Sequence, residues 1–168
     1  MILAFDTFYY NDKAHTVCLE FQDWDDGQYS AVYREIRIST EEYESGAFYK
    51  KELPCILGLL EKINTDKTTA IVVDGFVYLN DEGRIGLGGH LYNALNKTVP
   101  VIGVAKTNFA TIETKKRPVL RGKSSRPLYV TAIGMDLDTA ASCITGMAGP
   151  HRIPYLLKEL DRLTRVTD

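Results

Sequence analysis

Cysteine is scarce and scattered in this chain. Cys18, Cys55 and Cys143 are odd in number, widely spaced and free of any C-x-x-C pairing. That pattern excludes a disulfide framework and a cysteine zinc site, and leaves buried, reduced thiols as the expectation. Long hydrophobic runs are also missing, since no stretch approaches the roughly 20 apolar residues of a membrane span. The opening Met-Ile-Leu-Ala-Phe-Asp lacks the basic start and small-residue cleavage pattern of a secretory signal. A soluble cytoplasmic protein with no membrane partner is therefore expected. Repeats, low-complexity tracts and linkers are absent too. With 168 residues, 45% of them apolar, the chain is expected to form one domain, residues 1–168, around a sizeable core, and to act as a monomer.

What is present begins with an uneven charge distribution. The formal net charge is only −2, yet Lys106, Lys115, Lys116, Arg117, Arg121, Lys123 and Arg126 lie together, opposed only by Glu113. Either this is a solvated loop neutralised by acids folded nearby, or it is a phosphate-binding edge on an otherwise acidic domain.

β-Branched and aromatic residues punctuated by polar turns predict strands at Ile2–Tyr10, Ala14–Phe21 and Tyr29–Ile38. Asn11-Asp12-Lys13 and Asp25-Asp26-Gly27-Gln28 supply hairpin turns. Leu53, Ile56, Leu57, Leu60 and Ile63 then fall at helical spacing, with Pro54 suited to a first turn. A buried strand, Ala70–Val73, follows. Leu87, Leu91, Ala94 and Leu95 mark a second helix, Val99–Val104 and Leu128–Ile133 two more strands. Asp136 is the expected N-cap of a helix carrying Leu137, Ala140, Ala141, Ile144 and Met147. Leu156, Leu160 and Leu163 mark the last helix. Three hairpin strands followed by alternating helices and strands imply an α/β protein with a mixed sheet, antiparallel at one side, parallel at the other, and covered by helices. That is the order of an RNase H-like fold, although flavodoxin-like arrangements share much of it.

Two aspartates stand out against this pattern. Asp6 interrupts Ile-Leu-Ala-Phe-Asp-Thr, and Asp74 ends Ala-Ile-Val-Val-Asp. Asp is disfavoured in strands, and an unpaired buried carboxylate costs several kcal/mol or shifts its pKa. If the two strands are neighbours, the carboxylates converge near strand ends, where open α/β sheets place their sites. Oxygen-only ligands completed by water suit Mg²⁺ or Mn²⁺. The alternative is that each Asp caps a turn through backbone N–H groups. Gly86-Leu87-Gly88-Gly89 lacks both the spacing and the preceding strand of a dinucleotide site.

Several blocks of the sequence share one resemblance. Val-Asp-Gly at 73–75, Gly-Leu-Gly-Gly-His-Leu at 86–91 and Val-Pro-Val-Ile-Gly-Val-Ala-Lys at 99–106 resemble, in order, blocks of the endonuclease V family. Leu-Arg-Gly-Lys at 120–123, Pro-Leu-Tyr-Val at 127–130 and His-Arg-Ile-Pro at 151–154 continue it over nearly the whole chain. The resemblance implies an RNase H-like fold and a Mg²⁺-dependent endonuclease, with Mn²⁺ able to substitute. It also implies recognition of inosine in single- or double-stranded DNA or RNA, and cleavage one nucleotide beyond it on the 3′ side. Carried over by position, the metal-binding carboxylates are Asp6, Glu52 and Asp74, with Asp161 as the fourth catalytic acid and Lys106 as the catalytic cation. Tyr43, Gly46, Gly75, His90, Arg121 and Lys123 fall on substrate-binding positions, although His90 also sits beside the apolar stripe of its helix.

The sequence departs from the family at two places. A Pro-Tyr-Ile-Pro wedge is replaced by Glu42-Tyr43-Glu44-Ser45-Gly46, and His-Gly after Val-Asp-Gly by Phe76-Val77. The second change removes a glycine that lets a flipped base approach the backbone. Two alternatives therefore stand beside the nuclease: a relative with a different nucleic acid substrate, and a nucleic-acid-binding module of the same fold without catalysis.

Overall fold

The structure, a computed structural model, describes residues 1–39 and 49–167. The chain begins with an antiparallel meander of β1 (Ile2–Tyr10), β2 (Lys13–Phe21) and β3 (Ala31–Ile38). Tyr10 pairs with Lys13, so Asn11 and Asp12 alone make the first turn, both at positive φ of 45° and 59°. Their short side chains tolerate that region, and the resulting twist matches the strands. Helix α1 (Tyr49–Leu60) leads to β4 (Ala70–Asp74), and α2 (Leu87–Ala94) to β5 (Val101–Ala105). The chain ends with β6 (Arg117–Val119), β7 (Leu128–Ile133), α3 (Leu137–Thr145) and α4 (Tyr155–Thr164).

The seven strands form one sheet in the order β3-β2-β1-β4-β5-β7-β6. β1, β4 and β5 run parallel in its centre, the expected mixed α/β arrangement. The far side differs from expectation, because β7 pairs antiparallel with β5 and with β6. The short β6, Arg117-Pro118-Val119, was masked in the sequence by its basic neighbours and its proline, which suits an edge strand. Helix α1 also starts earlier than its apolar stripe suggests, so Pro54 lies inside the helix and not in its first turn. Ala94, placed on the α2 stripe by periodicity, is exposed.

Alternation along the central strands sends side chains into two separate cores. Leu3, Phe5, Ile71, Val73 and Val101 pack under α1 and α2, with Ile56, Leu59 and Leu91. Ile2, Ala4, Val72, Ile102 and Val104 pack under α3 and α4, with Ala140, Ile144, Leu156 and Leu160. Continuing that alternation one step past Ala4, Val72 and Val104 puts Asp6, Asp74 and Lys106 on the α3/α4 side. The helices over that side are fixed by specific contacts. Asp136 caps α3 by accepting the Thr139 N–H at 3.0 Å, as its sequence position predicts. Buried His15 ties β2 to the end of α4 through Nδ1 and the Thr164 carbonyl, 2.7 Å apart. Cys18 and Cys55 are buried free thiols, and Cys143 is free and half-buried. No helix is long and apolar enough to cross a membrane among the described residues.

Gly103, in the middle of β5, sets how tightly the sheet closes around the end of β4. A Cβ there would stand 2.6 Å from the Gly75 carbonyl and 2.7 Å from Thr131 Oγ1, the hydroxyl that accepts the buried Val77 N–H at 2.8 Å. Gly103→Ala should therefore lower unfolding free energy by about 2 kcal/mol in urea titration, the usual penalty for overpacking. A variant as stable as wild type would show that the segment after Asp74 moves aside freely.

Candidate active site

The geometry of the site follows from strand register. Phe5 is in register with Val73 and Val73 with Gly103, so the next residues, Asp6 and Asp74, emerge side by side as β1 and β4 stop pairing. Lys106 follows the last residue of β5. Asp161 comes down from α4, whose Leu157 and Leu160 wall the same space. These four side chains line one cleft of about 40 Å³, floored by Phe5, Val72, Val73 and Val104. It has room for about three water molecules. Gly75, at φ +112°, turns the chain away immediately after Asp74 while its N–H donates to the Val104 carbonyl at 3.0 Å. A side chain there would meet open space, so the requirement for glycine is one of backbone angle.

The electrostatics reveal crowding of like charge. Burial first, then Asp74 and Asp161, push the Asp6 carboxyl from the ordinary range up to about 7, although it accepts the Thr7 N–H at 2.9 Å and faces Lys106. Asp74 is raised as well, mainly by the protein around it and partly by Asp161, with Lys106 opposing. By surface area Asp74 remains exposed at the cleft mouth, so its rise reflects a crowded surrounding and not complete enclosure. Glu52 is buried at 4% exposure in the first turn of α1, and its pKa lies well above normal from burial and from Asp6 and Asp74. It reaches them from the α1/α2 side and does not line the cleft. The carboxylates sought in sequence are thus brought into one electrostatic neighbourhood, with three of the four in one cleft.

Whether these residues suit a cation can be judged from their chemistry. Among the described residues no three His, Cys, Asp or Glu side chains are gathered as a ready-made metal cage. Two oxygen donors on adjacent strand ends, a third carboxylate across the cleft and space for water nevertheless match a hard divalent ion that retains much of its water shell. A positive charge would also relieve the repulsion that lifts Asp6. The donor set therefore fits Mg²⁺ or Mn²⁺, with Asp6 and Asp74 as the holding pair and Asp161 and Glu52 close enough to act on that pair electrostatically.

The expected substrate-binding residues divide. Lys123 and Lys106 are exposed and available to an anion. Arg121 is 5% exposed, and its guanidinium donates to the carbonyls of His151 at 2.6 Å, Met147 at 2.5 Å, Gly149 at 3.1 Å and Arg152 at 3.3 Å. It staples the 147–152 segment and is not presented to solvent. His90 stacks on Tyr49 with ring centroids 3.6 Å apart, joining α2 to α1 on the side away from the cleft; burial lowers its pKa. Tyr43 and Gly46 lie outside the described residues. Other cations of the basic stretch are likewise engaged: Arg117 pairs with Asp138 at 2.8 Å, and Lys116 with the Asn108 side chain. Sequence reading missed Tyr9, whose pKa is raised by burial and by Glu52, and the aromatic pair Phe76 and Phe109, 5.7 Å apart. Only their proximity in sequence to Asp6, Asp74 and Lys106 could have flagged them.

Comparisons with known proteins bear on the family and the fold. The family model described as Endonuclease V matches residues 1–145. Endonuclease V from Streptomyces avermitilis is 23% identical, covering 98% of this chain and 79% of that one, with a TM-score of 0.77. Ciona intestinalis endonuclease V, solved in complex with a 24mer DNA containing an inosine followed by a ribo-adenosine, is 19% identical over 98% and 84% of the two chains, with a TM-score of 0.76. Human ENDOV is 21% identical over 98% and 82%, with a TM-score of 0.74. No curated protein matches the sequence. The match to the family model stops before α4 and so does not extend to Asp161.

Three outcomes follow. Folded Asp6 holds its proton up to about pH 7, whereas unfolded it releases it near 3.8. The folded state therefore binds more protons between those values, and its stability falls as pH rises through that window. In EDTA, urea unfolding should show a loss of about 2–4 kcal/mol from pH 4 to 7.5, flattened in Asp6→Asn; parallel profiles for the two proteins would contradict the crowding. Arg121→Ala should cost about 2–4 kcal/mol in stability by leaving buried carbonyls unpaired. Lys123→Ala should leave melting unchanged and reduce the salt dependence of strand binding.

Proposed function

The chain belongs to the endonuclease V family, nucleases acting on nucleic acid, and we propose that it hydrolyses phosphodiester bonds at the Asp6–Asp74 cleft using a divalent cation, Mg²⁺ or Mn²⁺. The observation that carries this reading is the crowding of Asp6, Asp74 and Asp161 opposite Lys106 in one cleft. Asp6 and Asp74 would hold the ion. Such an ion supplies a water made nucleophilic near neutral pH and offsets charge on the phosphate.

The chain's own residues provide the remainder. Asp161, which lines the cleft from α4, would accept a hydrogen bond from the attacking water and so aim it; Arg165, 3.6 Å away, steadies its carboxylate. Lys106 offers its ammonium to the phosphate or the leaving oxygen, in a position where it already lowers the pKa of both aspartates. Glu52 adds acidic character from the other side of the sheet, and its burial favours the neutral form until positive charge arrives nearby. Lys123 grips backbone phosphate outside the cleft.

The proposed substrate is a DNA or RNA strand containing inosine, supported by the Ciona relative's complex with inosine-containing DNA. A second reading, cleavage without preference for inosine, is favoured by the segment after Asp74. Val77 is completely buried with its N–H bonded to Thr131, and Phe76 lies against Phe109, so this backbone has no donor left open at Val77 for a base.

Labelled single strands with and without inosine, incubated in Mg²⁺, Mn²⁺ or EDTA, test both. Cleavage should require a divalent ion and fall at least ~100-fold in Asp6→Asn and Asp74→Asn. Cleavage restricted to inosine supports the first reading and indifference to the base the second. Salt-sensitive binding without any cleavage would leave a binding module only.

A further inference from the structure

Asp161 lines a second cavity as well as the cleft. A groove of about 720 Å³ lies between α4 and the turn joining β2 to β3. That volume falls within the range of about 300–1,000 Å³ that accommodates a small-molecule-sized group. Two aromatic rings form its walls, Tyr29 at 37% exposure and Tyr155 at 49%. Both are carried on braced backbone. The Asp26 carboxylate accepts the N–H groups of Gln22 and Asp23 at 3.0 Å, Ser30 N–H donates to the Glu20 carbonyl at 2.7 Å, and Tyr155 N–H to that of Ala148 at 3.0 Å.

The charges beside the rings are of unequal availability. Arg162 is engaged by Glu159 through two bonds at 2.9 and 2.5 Å. Lys158 is exposed, and Arg165 lies between Asp161 at 3.6 Å and the Phe8 ring at 4.8 Å. Exposed rings interleaved with cations are the chemistry of a single-stranded nucleic acid, whose bases stack and whose phosphates pair. An acidic peptide would use the cations and leave both rings idle.

We propose that this groove holds the single strand on one side of the scissile phosphate, with bases stacked on Tyr29 and Tyr155 and phosphates against Lys158 and Arg165. The inference rests on the nuclease reading, because Asp161 at the junction makes the groove the continuation of the cleft.

Binding measured without cleavage tests it. In EDTA, a fluorescein-labelled, unstructured strand long enough to span both cavities should bind the Tyr29→Ala/Tyr155→Ala protein at least about fivefold more weakly than wild type. The Tyr→Phe pair, which keeps the rings, should retain wild-type affinity. Unchanged affinity in the alanine pair, with unchanged melting, would overturn the proposal. So would wild-type binding of labelled poly-glutamate as tight as the strand's and lost in the same variant, which would assign the groove to acidic peptides. Should the alanine pair fail to fold, Lys158→Glu carries the test: it must weaken binding and lower its salt dependence, and no change would overturn the proposal. Absence of metal-dependent cleavage alongside a persistent tyrosine effect would sink the nuclease reading alone. Intact cleavage with unaltered binding would sink the groove alone.

Discussion

Repulsion between carboxylates held on adjacent parallel strands is the constraint around which this molecule is arranged. Register leaves Asp6 and Asp74 no freedom to separate, because each directly follows a residue locked in the β1–β4 ladder. Burial and the nearby Asp161 then raise the cost of ionisation, and Lys106 offsets only part of it. A globular protein seeking stability alone would have no use for such a cluster. It persists here where a sheet opens toward solvent, and an added cation would turn mutual repulsion into shared attraction.

The opposite treatment of positive charge supports the same view. In sequence the basic stretch leaves open both a solvated loop neutralised by nearby acids and a phosphate-binding edge, and folding sorts it into two populations. Arg121 and Arg117 hold the chain to itself, one through four backbone carbonyls and the other through Asp138. Lys106 and Lys123 remain exposed. Arg121, with planar donors able to satisfy several carbonyls at once, took the internal position, while Lys106, Lys123 and Arg126 stayed at the surface.

Helix α4 connects the two concave regions. Its inner leucines fix it over β1 and β2, and His15 anchors its end. Asp161 therefore projects into the cleft while Tyr155 and Lys158 face the groove. One rigid element thus carries both a candidate catalytic acid and a candidate strand contact, which fixes the distance between them.

Sequence by itself determined the strands β1 and β7 to the residue, the cap of α3, and the candidate acids at positions 6 and 74, because β-branched and aromatic runs, a capping aspartate and a misplaced charge are local signals. It did not determine the direction of β7, the existence of β6, the early start of α1, or which arginines would be internal. Those depend on partners distant in the chain: β7 takes its direction from β5, and Arg121 meets carbonyls that arrive about 30 residues later. Only the tertiary structure decided that Glu52 approaches the acidic pair from behind the sheet and that Tyr29 and Tyr155 face one groove. Such positions are set by how layers pack, and packing leaves no periodic trace in a single strand or helix.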